Sequence, residues 1–357
     1  MNRFDRRTLL KTGAALGASA ALPIAAGPAR AQASRPFTFC SWGGALQETE
    51  KKAFVEPFMA KKGLKFAEAS PTTYAKIKAQ VEANAVEWDL VTVGGQWMYQ
   101  ARDQNLAEKM DYSVIRNDDL NKAWKAEYGV YTSTGATVVA YSTKTFPKGG
   151  RQPNSWADFW NVKDFPGPRS LYSRMHYNYE AALRAAGVPR DQIYPQTEEK
   201  VRLMFQKLEE IKPHVAVWWT TGAQAPQLLS TGEVVLAMAW NGRILDAQKS
   251  NSPVDMTLKD GIAWGNAFIV PRGSPYKALA MELINYSITE EAQDRLIPIG
   301  TYGPVLEKSA AKATPEQALT MVTHPSNARE AVIFDDEQSA AYLTKYESDW
   351  QKFQLKK

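Results

Sequence analysis

The sequence predicts an α/β protein with a doubly wound architecture, in which strands and helices alternate along the chain. Three observations support this fold class. Short apolar runs typical of buried strands recur, several of them end in a loop that contains glycine or an amide, and these loops lead into segments with helical periodicity. The strand–loop–helix order further predicts sheets whose strands are mostly parallel.

The first strand–helix unit lies near the start of the globular part of the chain. Arg35–Trp42 has the composition of a short strand and ends at Gly43-Gly44. Beyond these glycines, apolar residues recur on one face of a helix as far as Lys62-Gly63, which is a helix stop signal. We therefore expect a strand, a glycine loop and a helix in this order.

The same alternation continues through most of the chain. Asn241-Gly242 is expected to break one strand before the helix that follows it. The predicted elements are a helix at Tyr74–Ala83, a strand at Asp89–Val93 closed by Gly94-Gly95, a strand at Ala136–Tyr141, a helix at Val201–Ile211, a strand at Val234–Trp240, a helix at Arg243–Lys249, a strand at Phe268–Val270 and a helix at Tyr276–Ile288.

The positive charge of the chain is concentrated near its start. The 357 residues include 43 Lys+Arg and 38 Asp+Glu, which gives a formal charge of +5. Five basic residues and one acidic residue lie in 1–33, so the rest is nearly neutral, which argues against a basic nucleic-acid-binding protein. Asp5-Arg-Arg-Thr-Leu-Leu-Lys11, an Ala/Gly-rich stretch and small-x-small cleavage sites follow the order of a twin-arginine signal peptide. We therefore expect 1–33 to be removed and the mature protein to be periplasmic.

Several classes of chemistry lack their sequence signatures. Cys40 is the only cysteine, so no intramolecular disulfide can form, and the three histidines lie too far apart to suggest a metal site. Phosphate-binding glycine loops, a nucleophile elbow and cofactor-ligand patterns are also missing. The acid pairs Glu209-Glu210 and Asp335-Asp336 are interpreted as solvated charge. We expect no cofactor, no metal and no enzymatic activity, although an exported enzyme remains an alternative.

Four predicted strand ends combine an aromatic ring with glycine or an amide. Ligands of doubly wound folds bind where such loops lead into helices, because glycine lets the backbone approach while tryptophan and amides offer stacking and hydrogen bonds. The pattern predicts one shared ligand cleft, with tryptophans packed in the core as the alternative. The four sites are Trp42-Gly43-Gly44, Gly94-Gly95-Gln96-Trp97, Trp240-Asn241-Gly242 and Trp264-Gly265-Asn266.

A set of short motifs spans nearly the whole mature chain in a constant order. The motifs are Ser41-Trp-Gly-Gly44, Trp88-Asp-Leu-Val91, Ser155-Trp-Ala-Asp-Phe-Trp160, Phe165-Pro-Gly167, Gly232-Glu-Val-Val-Leu-Ala-Met-Ala-Trp-Asn-Gly-Arg243, Pro253-Val-Asp255, Gly261-Ile-Ala-Trp-Gly-Asn266 and Ile299-Gly-Thr-Tyr-Gly-Pro304. In this order they resemble the spermidine/putrescine-binding family of type II periplasmic solute-binding proteins, which supply ABC importers.

The resemblance implies a fold of two doubly wound α/β lobes that close on one small-molecule ligand. Because the chain of this family crosses between the lobes more than once, we place lobe one at 35–142 plus 266–307 and lobe two at 143–265 plus 308–357. The implied partner is an ABC permease of the inner membrane, and a monomer is the family expectation. The residues implied to face the cleft are Trp42, Gln96, Trp97, Ser133, Thr134, Trp219, Gln224, Trp240, Trp264, Asn266 and Tyr302.

Departures from the family pattern point to the ligand. Asn266 stands where the polyamine pattern has an aspartate, and Arg174 and Tyr177 align with its acidic pair. Because guanidinium groups bind carboxylates and repel ammonium ions, we expect an amino-acid-like, opine-like or other carboxylate-bearing solute. Arg243 is a second candidate anion ligand. The alternative is a polyamine bound through aromatic and water-mediated contacts.

Overall fold

Strands of the described residues join in one continuous sheet. The computed structural model describes residues 35–116, 118–300 and 302–356, and the signal peptide predicted at 1–33 lies outside them and stays a prediction. The strands are β1 (Phe37–Cys40), β2 (Phe66–Ala69), β3 (Leu90–Gly94), β4 (Lys125–Ala126), β5 (Gly129–Ser142), β6 (Arg169–Tyr172), β7 (Val215–Trp219), β8 (Leu236–Trp240), β9 (Val254–Ile269) and β10 (Val332–Ile333).

Helices cover the sheet and connect its strands. A π-helical segment, Lys51–Val55, joins the first two. In the part of the chain that the structure describes, none of them is both long enough and apolar enough to span a bilayer. They are α1 (Gly44–Glu50), α2 (Glu56–Lys62), α3 (Tyr74–Glu82), α4 (Gly95–Asp103), α5 (Trp156–Trp160), α6 (Asn178–Ala185), α7 (Glu198–Ile211), α8 (Gln224–Thr231), α9 (Asn241–Lys249), α10 (Lys277–Ser287), α11 (Glu290–Asp294), α12 (Leu296–Ile299), α13 (Glu307–Ala310), α14 (Pro315–Ala318), α15 (Pro325–Ala328) and α16 (Asp336–Leu355).

The centre of the sheet consists of two long antiparallel strands. The strand order is β2-β1-β3-β9-β5-β8-β6-β7, and β5 pairs with β9 from Val130↔Phe268 to Ser142↔Val254. β3 pairs antiparallel with β9, and β8 pairs antiparallel with β5. The outer pairs β1–β2, β1–β3, β6–β7 and β6–β8 are parallel. The prediction of mostly parallel strands is therefore wrong at the centre, where two strands of 14 and 16 residues run past each other.

β9 also corrects the predicted position of one binding motif. The sequence predicts a strand only at Phe268–Val270, and it places Trp264-Gly265-Asn266 at a strand end. These residues instead lie inside β9, paired with Gly135, Thr134 and Ser133 of β5. Polar and glycine residues interrupt the apolar pattern of this strand, so local periodicity does not reveal it. Its stability comes from pairing along the length of β5, which is a tertiary effect.

The sequence pattern also fails to predict the start of β5. The sequence predicts a strand from Ala136, whereas the strand begins at Gly129. The additional residues include Thr132, Ser133 and Thr134, which are polar and completely buried. Their side chains hide the strand from an apolar-run criterion, although β-branched threonine favours extended backbone.

Two large hydrophobic clusters form on either side of this central pair. One draws on residues from 37–131 and 267–306, and it packs around β1, β3 and the end of β9. The other draws on residues from 139–262 and 332–353, and it packs around β6, β7 and β8. Each cluster therefore combines separate stretches of the chain, which meet because β5 and β9 connect the two regions.

Candidate functional site

Two tryptophans form a half-buried aromatic pair beside β1 and β3. The rings of Trp42 and Trp97 lie 4.9 Å apart at 46°, and Tyr74 contacts Trp97 edge-on at 5.8 Å. Trp42 follows β1, and Trp97 lies in the first turn of α4 after Gln96, which is also half-buried. Gly43, with φ 79°, supplies the left-handed turn after Trp42. We call Trp42 and Trp97 the first aromatic pair.

A second group of aromatic residues lies at the ends of β6, β7 and β8 and on β9. Tyr172 stacks on Trp219 at 4.4 Å, Trp219 meets Trp240 edge-on at 5.4 Å, and Trp240 lies 6.4 Å from Trp264. Trp219 is completely buried, and its indole N–H donates to the Met238 carbonyl at 2.9 Å. We call Tyr172, Trp219, Trp240 and Trp264 the aromatic cluster.

Glycines allow this cluster to pack directly on backbone. A Cβ added to Gly135 would lie 2.4 Å from the Trp264 ring, and one added to Gly222 would lie 2.4 Å from the Trp240 ring. The Trp264 indole N–H donates to the Thr137 hydroxyl at 3.1 Å, which fixes the ring over β5. The Trp240 indole nitrogen is buried and has no hydrogen-bond partner among the described residues.

In the strand order, β9 and β5 lie between β1 and β3, which precede the first aromatic pair, and β8, β6 and β7, which carry most of the aromatic cluster. Both central strands carry polar groups. The Asn266 amide donates to the Ser133 hydroxyl at 3.2 Å, and both side chains are buried. Thr134 exchanges two backbone hydrogen bonds of 2.8 Å with Gly303, the residue after Tyr302. The central strands thus present amide and hydroxyl groups next to Trp264.

Arg174 and Tyr177 lie in the loop between β6 and α6 and have contrasting environments. Arg174 is exposed, and its guanidinium interacts with the hydroxyl of Tyr172; burial raises the pKa of Tyr172, and Arg174 opposes that shift. Tyr177 is buried, has φ 65°, and packs 4.9 Å from Phe334. Arg174 therefore places a positive charge beside the aromatic cluster.

Tyr302 lies near a group of charged side chains. Burial raises the pKa of Tyr302 to about 12; nearby Arg243 opposes the shift, and Glu50 and Asp246 reinforce it. Arg243 is half-buried rather than solvent-facing. Glu50 is completely buried and accepts hydrogen bonds from Ser41 (2.6 Å) and Thr92 (2.8 Å).

Gln224 is the one predicted site residue whose amide oxygen is used within its own loop. This oxygen accepts from the backbone N–H groups of Thr220 and Thr221, at 2.7 and 3.0 Å. The structure therefore places the predicted residues in two aromatic groups, with polar positions of β5 and β9 between them, and Gln224 as a loop-stabilising residue. Within the described residues, no cluster of three or more His, Cys, Asp or Glu side chains is placed to hold a metal ion.

Sequence reasoning missed two residues that adjoin this site, Tyr172 and Asp336. Tyr172, at the centre of the aromatic cluster, ends a strand that carries no glycine signal. Asp336 was interpreted as solvated charge, but it is only 7% exposed and accepts a hydrogen bond from the Tyr131 hydroxyl at 2.6 Å. That interpretation is wrong because partners 205 residues apart in sequence come together only in the fold. The signal that could have found Asp336 is its position in the first turn of α16, directly after the helix cap Asp335.

Comparison with known proteins identifies the family that this chain resembles. The bacterial extracellular solute-binding protein family matches residues 53–323. A γ-aminobutyric acid-binding protein from Pseudomonas aeruginosa PAO1 is 34% identical over 317 residues, which cover 87% of this chain and 88% of that protein. A spermidine/putrescine-binding periplasmic protein from Escherichia coli K12 is 24% identical over 353 residues, or 95% and 92% of the two chains.

Solved structures show the same relationship. An ABC transporter substrate-binding protein from Bradyrhizobium japonicum USDA 110 is 35% identical with a TM-score of 0.82, over 89% of this chain and 98% of that one. The periplasmic binding protein MotA from Agrobacterium tumefaciens B6, solved with glucopine, is 30% identical with a TM-score of 0.80, over 90% and 100%. These similarities confirm the predicted fold class of a two-lobed periplasmic binding protein and the resemblance stated from the motifs.

Proposed function

The chain belongs to the bacterial extracellular solute-binding proteins, and on this premise we propose that its cleft captures a small amino-acid-like, opine-like or other carboxylate-bearing solute. Its role as the substrate-binding component of an ABC importer follows from the family and from its relatives. The twin-arginine route of export, the monomeric state and the lack of enzymatic activity are parts of the proposal, and so is the assignment of individual ligand contacts.

The observation that carries the ligand class is the charge at the edge of the aromatic cluster. Arg174 is exposed beside Tyr172, and Arg243 is half-buried near Tyr302, so two guanidinium groups adjoin the predicted contact residues. Asn266 contributes a neutral amide, which already donates to Ser133. A guanidinium binds a carboxylate through two parallel hydrogen bonds, whereas an ammonium group facing it is repelled. This arrangement favours an anionic group over a dication.

The relatives support the same choice. The γ-aminobutyric acid-binding relative and the glucopine complex are 34% and 30% identical to this chain, against 24% for the spermidine/putrescine-binding relative. γ-Aminobutyrate is an amino acid that carries a carboxylate. A polyamine ligand is the second candidate, because the aromatic rings of the site would also bind a cation through their faces.

The two lobes are assigned from the cores and the central strands. We place lobe one at 35–142 plus 266–307 and lobe two at 143–265 plus 308–357, which the two hydrophobic clusters support except at Val139, Ala140 and Tyr141, which pack in the second cluster. The first aromatic pair and Gln96 then belong to lobe one. Tyr172, Trp219 and Trp240, together with Arg174, belong to lobe two. Because β5 and β9 cross between these regions, bending of the two strands would bring the aromatic walls together on a ligand.

Calorimetric titration of the purified mature protein tests this ligand class. We expect γ-aminobutyrate to bind more tightly than putrescine or spermidine, and we expect Arg174→Ala to weaken γ-aminobutyrate binding by at least about tenfold, because a charge-assisted hydrogen bond is lost. Arg202→Ala is the matched control, since Arg202 is an exposed arginine on α7. Submicromolar polyamine binding that survives Arg174→Ala would overturn the carboxylate assignment and establish the second candidate.

A further inference from the structure

The chain makes a short return crossing just before its last helix. β10 (Val332–Ile333) pairs in parallel with Ile262 and Ala263 of β9, and the next backbone N–H, of Phe334, donates to the Ala263 carbonyl at 2.8 Å. α16 then begins at Asp336 and packs against α4. The segment Phe334–Asp336 therefore follows directly after the residues paired with Ile262 and Ala263, the two residues before Trp264, and lies next to the candidate site.

At one end of this segment, Asp336 contacts β5 and the start of α4, the helix that carries Trp97 of the first aromatic pair. Its carboxylate accepts a hydrogen bond from the Tyr131 hydroxyl of β5 at 2.6 Å, and it also interacts with the backbone N–H of Gln96. Gln96 and Trp97 form the first turn of α4. Asp336 is buried and thus fixes the position of the start of α4 through these contacts.

Gly95 shows how closely the two elements fit. A Cβ added to Gly95 would lie 2.1 Å from Oδ2 of Asp336 and 2.2 Å from the Tyr131 hydroxyl oxygen. Glycine at this position therefore serves close approach, and any side chain would displace the carboxylate. The adjacent Gly94 has open space around an added Cβ, so the constraint is specific to the residue that faces Asp336.

At its other end, the segment contacts the loop that carries Arg174. The Phe334 ring lies 4.9 Å from the ring of Tyr177 and 6.4 Å from that of His176. The neighbouring Asp335 receives a hydrogen bond at its helix cap from Gln338, while its backbone N–H donates to the Tyr194 hydroxyl at 3.0 Å. One three-residue segment therefore contacts loops on both sides of the candidate site.

We propose that Asp336 is a positioning residue for ligand binding. It holds Gln96 and Trp97 in place at the start of α4, and Phe334 sets their distance from the loop that carries Arg174. Asp336 does not contact the solute in this account; it acts through the first turn of α4. The inference rests on the proposed function, because it takes Trp97 and Gln96 as ligand contacts. It adds that the last helix of the chain determines how the two walls of the cleft are spaced.

Hydrogen exchange and binding together test this role in the full mature chain. In Asp336→Asn, we expect the amides of 95–99 to exchange about tenfold faster, the effect of one lost buried hydrogen bond. The matched control is Asp335→Asn, which changes the adjacent carboxylate to an equally good helix cap. We expect γ-aminobutyrate binding to weaken about tenfold in Asp336→Asn and to stay within twofold of wild type in Asp335→Asn.

A second pair of variants approaches the same contact from α4. Gly95→Ala should reproduce the faster exchange and the weaker binding, whereas Gly94→Ala should leave the exchange of 95–99 unchanged. Unchanged exchange at 95–99 in both Asp336→Asn and Gly95→Ala would overturn the proposal, as would faster exchange with unaltered γ-aminobutyrate affinity. If wild-type protein binds no γ-aminobutyrate, that solute is excluded as the ligand. The exchange measurement then still decides whether Asp336 holds the start of α4.

Discussion

The first aromatic pair and the aromatic cluster are built from the same residue type but are held differently. Trp42 and Trp97 are half-buried and tilted against each other, and within the described residues neither indole N–H donates a hydrogen bond. In the cluster, Trp219 is fully buried, and the N–H groups of Trp219 and Trp264 donate to Met238 and Thr137. The aromatic cluster is therefore fixed by its own packing, whereas the position of the first aromatic pair depends on the loops that carry it.

This difference assigns separate tasks to the two regions. A ring whose N–H is satisfied and whose face lies on glycine backbone has little freedom to adapt to a ligand. A half-buried pair on loops retains both exposed face and donor capacity. We therefore expect the cluster to contribute mostly to stability and rigid shape, and the first aromatic pair to contribute mostly to ligand affinity.

Replacing one tryptophan from each region tests the expected difference between stability and ligand affinity most strongly. Trp219→Ala should lower the free energy of unfolding by about 3–5 kcal/mol, because it empties a large buried volume. Trp97→Ala should lower it by about 1 kcal/mol, because that ring is half-buried, while it weakens γ-aminobutyrate binding more than tenfold. Urea unfolding and calorimetric titration of both variants measure the two effects, and equal stability losses would show that both rings are core residues.

The pH dependence of stability tests a second property of the two regions, namely the protonation of buried carboxyl groups near them. Burial raises the pKa of Glu50 to about 8 and those of Glu180 and Asp336 to about 7. The folded protein then binds more protons than the unfolded chain, so stability should fall as pH rises, up to about pH 7 for Glu180 and Asp336 and up to about pH 8 for Glu50, by at most about 1.4 kcal/mol per pH unit for each carboxyl.

Two features make this pH window informative. Burial lowers the pKa of His176 to about 3, which makes stability fall with acidification, but only below the pKa of an unfolded histidine. The negative charges of Asp335 and Glu180 add to the rise in the pKa of Asp336, and the hydrogen bond from Tyr131 opposes that rise. Glu50→Gln, behind Trp42, should flatten the slope measured by urea unfolding at pH 6.5, 7.25 and 8. An unchanged slope would mean that Glu50 is ionised in the folded protein.

The glycine under Trp240 offers a smaller test. Gly222→Ala should lower the free energy of unfolding by about 1–3 kcal/mol, because its Cβ would overlap the ring and the cluster would have to shift. Near-ultraviolet circular dichroism should change with it, since the aromatic rings change their packing. Stability and spectra equal to those of wild type would show that the cluster adapts easily.

The smallest expected effect concerns the hydrogen bond of Trp264. Thr137→Val removes the acceptor of the indole N–H while keeping the shape of the side chain, and should cost about 1 kcal/mol. Thr137→Ser keeps the hydroxyl and serves as the control. Unchanged stability in Thr137→Val would show that this hydrogen bond contributes nothing to stability.

Local signals in the sequence predicted the outer elements well. The buried run before Gly94, the stop at Lys62-Gly63 and the helix near 276–288 are recovered because each depends on neighbouring residues. Of β9, only the end near Phe268 was predicted, since Asp260, Gly261 and Gly265 interrupt its pattern and pairing with neighbouring strands, above all β5, stabilises the rest.

In the candidate site, too, local features were predicted from the sequence and long-range contacts were not. The tryptophans and glycines of its loops were identified from composition, because aromatic–glycine pairs stand out in the sequence. The contact between Tyr131 and Asp336 could not be predicted, because it depends on how α16 returns to the centre of the sheet. An acid pair alone does not reveal which carboxylate is buried.

Small-angle X-ray scattering of the mature protein tests the central claim most directly, namely that two walls close on a carboxylate-bearing solute. Saturating γ-aminobutyrate should lower the radius of gyration through bending of β5 and β9, and putrescine at the same concentration should leave it unchanged. A decrease with putrescine and none with γ-aminobutyrate would contradict the account.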